Sequence, residues 1–222
     1  MFIRAESGKG SSVIYYDSDG SFTVCKGGSR AWRNTNPGNI RNGDFARGAG
    51  AIGKAGGFAV FPDFPVGRAA LSSLLKGPNY VNLSIYNAVA KYAPPSQNDT
   101  GGYRTKLKNL TGLDLKRILA SLNSSEFESV LNAIQVIEGY KVGNCERQMG
   151  LRVVGARKNK KTKTIEQYCL GNGRVVSKAT GVAMADRNEL VNAVAVHPKK
   201  GDPYLRAKPD NISSNNFANT PC

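Results

Sequence analysis

The chain has 222 residues with 31 Lys+Arg, 16 Asp+Glu and one His, giving a formal charge of +15, and 40% of its residues are hydrophobic. That is enough apolar material for a core and room for one large domain or two modest ones, which excludes wholesale disorder. No window nears about 18 consecutive apolar residues, and Met1-Phe2-Ile3-Arg4-Ala5-Glu6 has neither a basic n-region nor an apolar h-region, so a membrane span and a Sec-type signal are not expected.

The positive charge favours a polyanionic partner, and nucleic acid, anionic lipid and the acidic polymers of the bacterial wall all qualify. The basic residues are spread along the chain without the aromatic–basic interleaving of an RNA-binding surface, which argues against nucleic acid. Cys25, Cys145, Cys169 and Cys222 form no CxxC, and none lies near His197 at metal-ligand spacing, so no metal and no cofactor are expected. Widely spaced cysteines of even number suit one or two disulfides in an oxidising compartment; idle thiols are the other reading.

In chain order, Val13-Ile14-Tyr15-Tyr16 and Phe22-Thr23-Val24-Cys25 flank Asp17-Ser18-Asp19-Gly20, a hairpin signal. Residues 31–62 are rich in Gly and Asn and read as irregular, with a short strand or hairpin near Gly57-Phe58-Ala59-Val60-Phe61. Helical spacing follows at 66–76, 84–92, 100–110, 114–122 and 125–138. In the last of these, Phe127, Val130, Leu131, Ile134 and Ile137 form one apolar stripe, Ser125 with Glu128 reads as a capping box, and Gly139 as the stop. Beyond 147, the stretches 151–156 and 164–170 flank the basic run 157–163 as a second hairpin, then come a short helix near 177–189, a strand at 191–197 and a polar tail at 209–222. Residues 150–222 hold 13 Lys+Arg and 5 Asp+Glu against 18 and 11 in 1–149, a charge density that marks a separate accessory module.

A Ser/His/Asp or Cys/His system is disfavoured because the single His197 sits in a strand before Pro198, remote from any Gly-x-Ser-x-Gly. No Walker or Rossmann fingerprint lies in strand-to-helix context. Carboxylates remain. Asp17 and Asp19 fit a turn, Asp114 an N-cap, and Glu126 and Glu128 a first helical turn. Glu138 differs: at the end of the 125–138 helix, beside Ile134 and Ile137, both the helix dipole and the apolar neighbours disfavour the anion. A carboxyl kept protonated near neutral pH is what a glycosidase general acid requires; a solvent-facing Glu that ends a helix is the other reading. Asp99 reads as an N-cap, or as a carboxylate beside Asn98 and Tyr103 that orients a sugar or a water. Asn34, Asn36 and Asn39 with Arg33 and Arg41 cluster around Pro37-Gly38, as donors for glycan hydroxyl and N-acetyl groups or as ordinary turn chemistry.

Four separated motifs carry a resemblance: Trp32-Arg33-Asn34-Thr35-Asn36-Pro37-Gly38-Asn39-Ile40-Arg41; Gly57-Phe58-Ala59-Val60-Phe61-Pro62; Gly67-Arg68-Ala69-Ala70; and Tyr92-Ala93-Pro94-Pro95 through Asn98-Asp99-Thr100 to Tyr103. In that order, over about residues 27–143, they resemble a family of phage virion lysis proteins and secreted antibacterial effectors. The stretch looks like the lysozyme-like peptidoglycan-hydrolase domain of type VI secretion effectors. The resemblance implies peptidoglycan glycan strands as substrate, a secretion apparatus and a cognate immunity protein as partners, and injection into the periplasm of target bacteria. It also sets Ile137-Glu138-Gly139-Tyr140 at the family's Glu-Gly element, the carboxyl singled out above. A competing alignment sets Glu6-Ser7-Gly8 against the Glu-Ser-Gly of lytic transglycosylases and glucosaminidases. Val176-Ser177-Lys178-Ala179, Tyr204-Leu205-Arg206-Ala207-Lys208-Pro209-Asp210 and Asn215-Asn216-Phe217 resemble a small uncharacterised bacterial domain; the basic charge of this part suits wall anchoring or substrate recruitment, and a stabilising appendage is the other reading.

The expected fold is α+β: a mainly helical lysozyme-like domain at 1–146 and a small basic α+β module at 147–222, in a monomer. The expected reaction is hydrolysis of the bond between N-acetylmuramic acid and N-acetylglucosamine. Glu138 is the expected general acid and Asp99 or a neighbouring polar group its partner, with Asn36, Asn39, Arg41, Phe58, Tyr92, Asn98 and Tyr103 contacting substrate; Trp32, Phe58, Tyr92 and Tyr103 serve as aromatic walls or as core. The rivals are a lytic transglycosylase or glucosaminidase on the same substrate, and a non-catalytic wall- or nucleic-acid-binding protein.

Overall fold

The computed structural model describes residues 1–148, 150–209, 217 and 220–222. Asp210, Asn215 and Asn216, which carry part of the C-terminal resemblance, lie outside the described residues. The elements in chain order are β1 (Phe2–Ser7), β2 (Val13–Asp17), β3 (Phe22–Lys26), α1 (Arg30–Arg33), α2 (Asp44–Gly48), β4 (Gly53–Ala55), β5 (Phe58–Val60), α3 (Phe64–Lys76), α4 (Ile85–Tyr92), α5 (Thr100–Thr111), a 3-10 turn (Leu119–Ser121), α6 (Ser124–Ile137), β6 (Asn144–Gln148), β7 (Val153–Lys158), β8 (Ile165–Leu170), β9 (Val175–Ser177), α7 (Lys178–Asp186), β10 (Ala193–Val196) and β11 (Tyr204–Ala207).

Helix accounts for 32% of the described residues and strand for 26%, spread over several sheets, so the protein is mixed α/β. The expectation of a mainly helical lysozyme-like domain is therefore corrected. The underestimate of strand has a physical source: β4, β5 and β9 are three residues long, and their pairing partners, not their own periodicity, make them strands. The chain forms two compact units, one of Met1–Arg4, Gly8–Cys25 and Cys145–Cys222, the other of Ala5–Ser7 and Lys26–Asn144.

In the first unit β2 and β3 form the expected hairpin, with Val13 opposite Cys25 and Tyr16 opposite Phe22. Its turn closes through Asp19, whose Oδ1 accepts both the Ser21 N–H at 2.8 Å and the Ser21 hydroxyl at 2.7 Å. Ile14, Tyr16 and Phe22 are buried with Val24, Val154 and Val191 against them. The second expected hairpin is β7–β8, antiparallel, and β9 continues the sheet on β8. Helix α7 starts at a Ser177 cap, whose Oγ accepts the Thr180 N–H at 3.0 Å, and ends before Asn188, which has φ +58°. The helix is thus shorter than the 177–189 expected. Met184 of this helix packs with Tyr168, Leu170, Leu205 and Phe217 in one core. All four cysteines are bridged, Cys25 to Cys145 and Cys169 to Cys222, which removes the idle-thiol reading.

The second unit holds the longer helices. Apolar positions every three or four residues bury one face of each: Ala70, Leu71 and Leu75 on α3, Ile85, Ala88 and Val89 on α4, Tyr103 and Leu107 on α5, Phe127, Val130, Leu131 and Ile134 on α6. The capping box of α6 is made by Asn123 and Glu126, not by Ser125 and Glu128: the Glu126 N–H donates to Asn123 Oδ1 at 2.9 Å and the Asn123 N–H to Glu126 Oε2 at 2.9 Å. Glu128 instead accepts from Arg68 of α3 at 2.9 Å. The helix expected at 114–122 is absent apart from the single 3-10 turn. Its backbone pairs elsewhere: the Ile85 and Tyr86 N–H groups donate to the Arg117 and Leu115 carbonyls, and Leu119 N–H to the Leu83 carbonyl. Those carbonyls satisfy donors that the first turn of α4 leaves open, which outweighs the local helical spacing. Between α1 and α3, the irregular stretch contains the expected hairpin near 57–61 as β4–β5, and Ala5–Ser7 of β1 adds to it in parallel.

Candidate active site

The site begins with a backbone closure that brings the start of α1 to the end of α6. The Ser29 N–H donates to the Lys141 carbonyl at 2.8 Å, and the Lys141 N–H donates to Ser29 Oγ at 3.0 Å. Gly28, at φ +58°, makes the approach possible, since a Cβ there would come within 2.6 Å of the Gly143 nitrogen and the Lys141 carbonyl oxygen. Ser29 also caps α1, its Oγ accepting the Trp32 N–H at 3.2 Å. Glu138 is the C-cap of α6, and Gly139 at φ +71° turns the chain away after it.

A second closure comes from the turn at Pro37-Gly38-Asn39. Asn36 is fully buried, its amide donating to the Ile40 and Ala59 carbonyls at 2.9 and 3.0 Å while its Oδ1 accepts the Ile40 N–H at 2.9 Å. With its polar atoms spent on backbone, Asn36 fastens the turn to β5 and does not face the cleft. Asn34 donates to the Ala55 and Ala59 carbonyls, and Arg33 to the Gly27 and Gly28 carbonyls, so both also serve the scaffold. Asn39, held at φ +44°, is left pointing at Glu138, to whose Oε2 its amide donates at 2.8 Å.

The third side comes from α4 and α5. The Thr100 hydroxyl donates to the Ala93 carbonyl at 2.6 Å, tying the two helix ends, and the Tyr92 and Tyr103 rings meet edge-on at 6.3 Å. The Tyr103 hydroxyl donates to Glu138 Oε1 at 3.2 Å, and the Tyr92 hydroxyl to the Gly38 carbonyl. Burial, then the neighbouring Tyr92 and the Glu138 charge, push the Tyr103 phenol far above its usual range. Burial, then Glu138 and Tyr80, do the same to Tyr92. Both phenols therefore stay protonated and remain donors across the physiological range.

A cleft of about 570 Å³ opens over Glu138, and Arg30, Asn39, Arg41, Phe58, Tyr92 and Asn98 are among its walls. The guanidinium carbon of Arg30 lies 3.7 Å from the Phe58 ring centre, and its Nε donates to Asn39 Oδ1 at 3.2 Å. Arg41 lies 5.3 Å from the same ring and donates to Gln97 Oε1 at 2.6 Å. Burial, then the charges of Arg41 and Arg33, lower the pKa of Arg30, with Glu138 acting against them. On the rim, Lys91 donates to the Asn79 carbonyl at 3.0 Å.

Of the residues picked from sequence, Asn39, Arg41, Phe58, Tyr92, Asn98 and Glu138 come together at this cleft, and Tyr103 braces Glu138. Asp99 does not: it is exposed and caps α5, its Oδ1 accepting the Gly102 N–H at 2.9 Å. Trp32 is not among the cleft's lining residues, and Glu6 lies in β1 opposite Lys54. Arg30, Lys91 and Gln97 were missed. The Ser29-x-x-Trp32 spacing could have signalled the short capped helix that carries Arg30. Among the described residues no group of three or more His, Cys, Asp or Glu is placed to hold a metal ion, and no helix is long and apolar enough to cross a membrane.

Among known protein families, a match falls in the C-terminal part. Residues 152–221 match a family described as a protein of unknown function (DUF3892). No curated protein matches the chain.

Proposed function

We propose that the unit containing Lys26–Asn144 cleaves the glycan strands of peptidoglycan, with Glu138 as the proton-transferring group. The observation that carries this reading is convergence. Three of the four stretches that resemble the lysis-protein family, around 39–41, 58 and 92–103, meet at one cleft with Glu138 of the Glu-Gly element, while the fourth, 67–70, does not line it. Elongated sugar chains suit such a cleft, which offers amide, phenol and guanidinium donors to hydroxyl and N-acetyl groups.

The geometry gives Glu138 a fixed direction, because Tyr103 and Asn39 each hold one carboxyl oxygen. In the proposed step the protonated carboxyl passes its proton to the glycosidic oxygen as the C1–O bond breaks and positive charge builds on the sugar ring. Glu138 is the one carboxylate among the described residues lining the cleft. With no second carboxylate there to act as nucleophile or to activate water, we favour the lytic transglycosylase form of the reaction over hydrolysis. The C6 hydroxyl of the same muramic acid attacks C1, Glu138 recovers the proton from that hydroxyl, and the product ends in a 1,6-anhydro ring with no water consumed. The proposal extends to an antibacterial effector injected by a secretion apparatus into the periplasm of target bacteria, acting as a monomer and neutralised in the producer by an immunity protein. Two disulfides support an oxidising site of action.

The test is clearing of purified peptidoglycan sacculi by the wild-type chain and by Glu138→Gln. Clearing by the wild type alone is expected. Equal clearing by both removes Glu138 from the chemistry, and clearing by neither removes the glycosidase.

A further inference from the structure

Two arginines in the cleft are placed in a way the proton-transfer step does not use. Arg30 and Arg41 approach one ring, Phe58, at 3.7 and 5.3 Å, so their guanidinium carbons lie no farther apart than the sum of those distances. Arg41 and Phe58 are also paired through the backbone as an isolated antiparallel bridge. Each arginine is held by a neutral amide oxygen, Arg30 by Asn39 and Arg41 by Gln97, and not by a carboxylate.

The arrangement is electrostatically incomplete. Like charges on neighbouring guanidiniums repel, and among the described residues neither arginine forms an ion pair within 4.0 Å. Glu138, the one carboxylate among the described residues lining the cleft, acts on Arg30 through its charge, but it forms no ion pair with either arginine, and its oxygens accept from Asn39 and Tyr103. Lys91 adds a third cation to the same walls. Each guanidinium lies over the Phe58 ring and spends one N–H on an amide oxygen, so each keeps further N–H donors beyond that one. A guanidinium fork is shaped for a planar carboxylate, which it binds by paired, charge-assisted hydrogen bonds.

We propose that Arg30 and Arg41 form a carboxylate-binding subsite beside Glu138, so that the cleft selects glycans bearing free carboxylates over neutral glycans of the same length. That the carboxylate is carried on a glycan rests on the proposed function; the preference for a carboxylate rests on the arginine pair alone. On a peptidoglycan strand the group is a free carboxylate of the stem peptide. The subsite would then hold the branch while Glu138 addresses the backbone.

The test compares two forms of one ligand, N-acetylglucosaminyl-N-acetylmuramyl-tetrapeptide with its carboxylates free and with the same carboxylates converted to amides. This disaccharide lacks the muramic-acid-to-glucosamine bond that the proposed reaction breaks, so calorimetric titration can use the wild-type chain. The free acid is expected to bind roughly tenfold or more tightly than the amide at about 50 mM salt, and the advantage to shrink at about 300 mM. In Arg30→Gln/Arg41→Gln the advantage should fall below about twofold. Arg41→Gln alone, whose partner Gln97 is exposed, covers the case in which the double variant fails to fold, and should lose part of the advantage. Equal binding of the two forms, a preference that survives in the variants, or no binding of either form overturns the subsite. Sacculus clearing does not enter this measurement. A carboxylate preference without clearing keeps the subsite and removes the glycosidase, and clearing without the preference does the reverse.

Discussion

Asn39 carries two separable burdens, and substitutions at this position separate them. Its backbone sits at φ +44°, a region that costs a side-chain-bearing residue about 1 kcal/mol and that Asn tolerates better than most. Its amide donates to Glu138 at 2.8 Å at a half-buried position, a bond to an ionisable group worth about 1.5 kcal/mol at the low end of its range. Asn39→Ala loses both and should destabilise the unit by about 2–3 kcal/mol; Asn39→Gly keeps the backbone freedom and should lose about 1.5 kcal/mol. Trp32 is the single tryptophan and lies in this unit, so urea unfolding followed by its fluorescence reads the difference directly. The functional loss should not follow the same order: both variants release the Glu138 carboxyl, so both should clear sacculi roughly tenfold or more slowly despite their different stabilities. If the glycine variant is as unstable as the alanine variant, or both lie within about 0.5 kcal/mol of wild type, the account of Asn39 fails.

Three further expectations concern the scaffold. The bridge from Cys25 to Cys145 closes a separation of 120 residues and that from Cys169 to Cys222 one of 53, which in the loop-entropy picture stabilise by about 5 and about 4 kcal/mol. Reduction should lower the thermal midpoint sharply and thiol labelling of the oxidised, denatured chain should find no free cysteine; a labelled thiol would contradict the pairing. The hydrogen bond from Arg117, then that from the Asn123 N–H, hold the Glu126 carboxyl below its ordinary value of 4.5. Because the folded value is the lower one, Glu126 stabilises above the ordinary value and the contribution is lost as the pH falls through the depressed one. Wild type should therefore exceed Glu126→Gln in urea midpoint near neutrality, with the gap closing in acid, and a gap independent of pH would refute the pairing. At Gly67 a Cβ would fall on the Thr35 carbonyl oxygen, so Gly67→Ala should cost about 2 kcal/mol or more, whereas Gly48→Ala, with open space around it, should be neutral within about 0.5 kcal/mol in the same chemical denaturation series.

What could be read in advance was local. Helices α3, α4, α5 and α6 lie where the apolar spacing put them, and the β2–β3 turn where Asp-Ser-Asp-Gly did, because both signals act within a few residues. The errors came from distant partners. Residues 114–119 carry a helical pattern but give their backbone to 83–86, and the three-residue strands become strands only by pairing, β4 with β5 and β1 and β9 with β8. The site shows the same division. Glu138 stood out because a carboxylate at a helix C-terminus among apolar neighbours is an unfavourable placement that calls for a reason. Residue type alone marks Asn36 and Asp99, yet an amide can serve a turn and a carboxylate can cap a helix equally well, and that is where their polar atoms go. Arg30 escaped because nothing in one dimension brings it to Asn39 and Phe58; the closure of Ser29 on Lys141 does.

The central claim, that one carboxyl at the base of this cleft cuts a glycan strand using the strand's own hydroxyl, is tested most directly by mass spectrometry of the soluble fragments released from sacculi by wild type and Glu138→Gln. The account predicts muropeptides ending in 1,6-anhydro-muramic acid from the wild type and none from the variant. Reducing ends would show hydrolysis by a group outside the arrangement described, and anhydro products from Glu138→Gln would contradict the assignment of the acid itself.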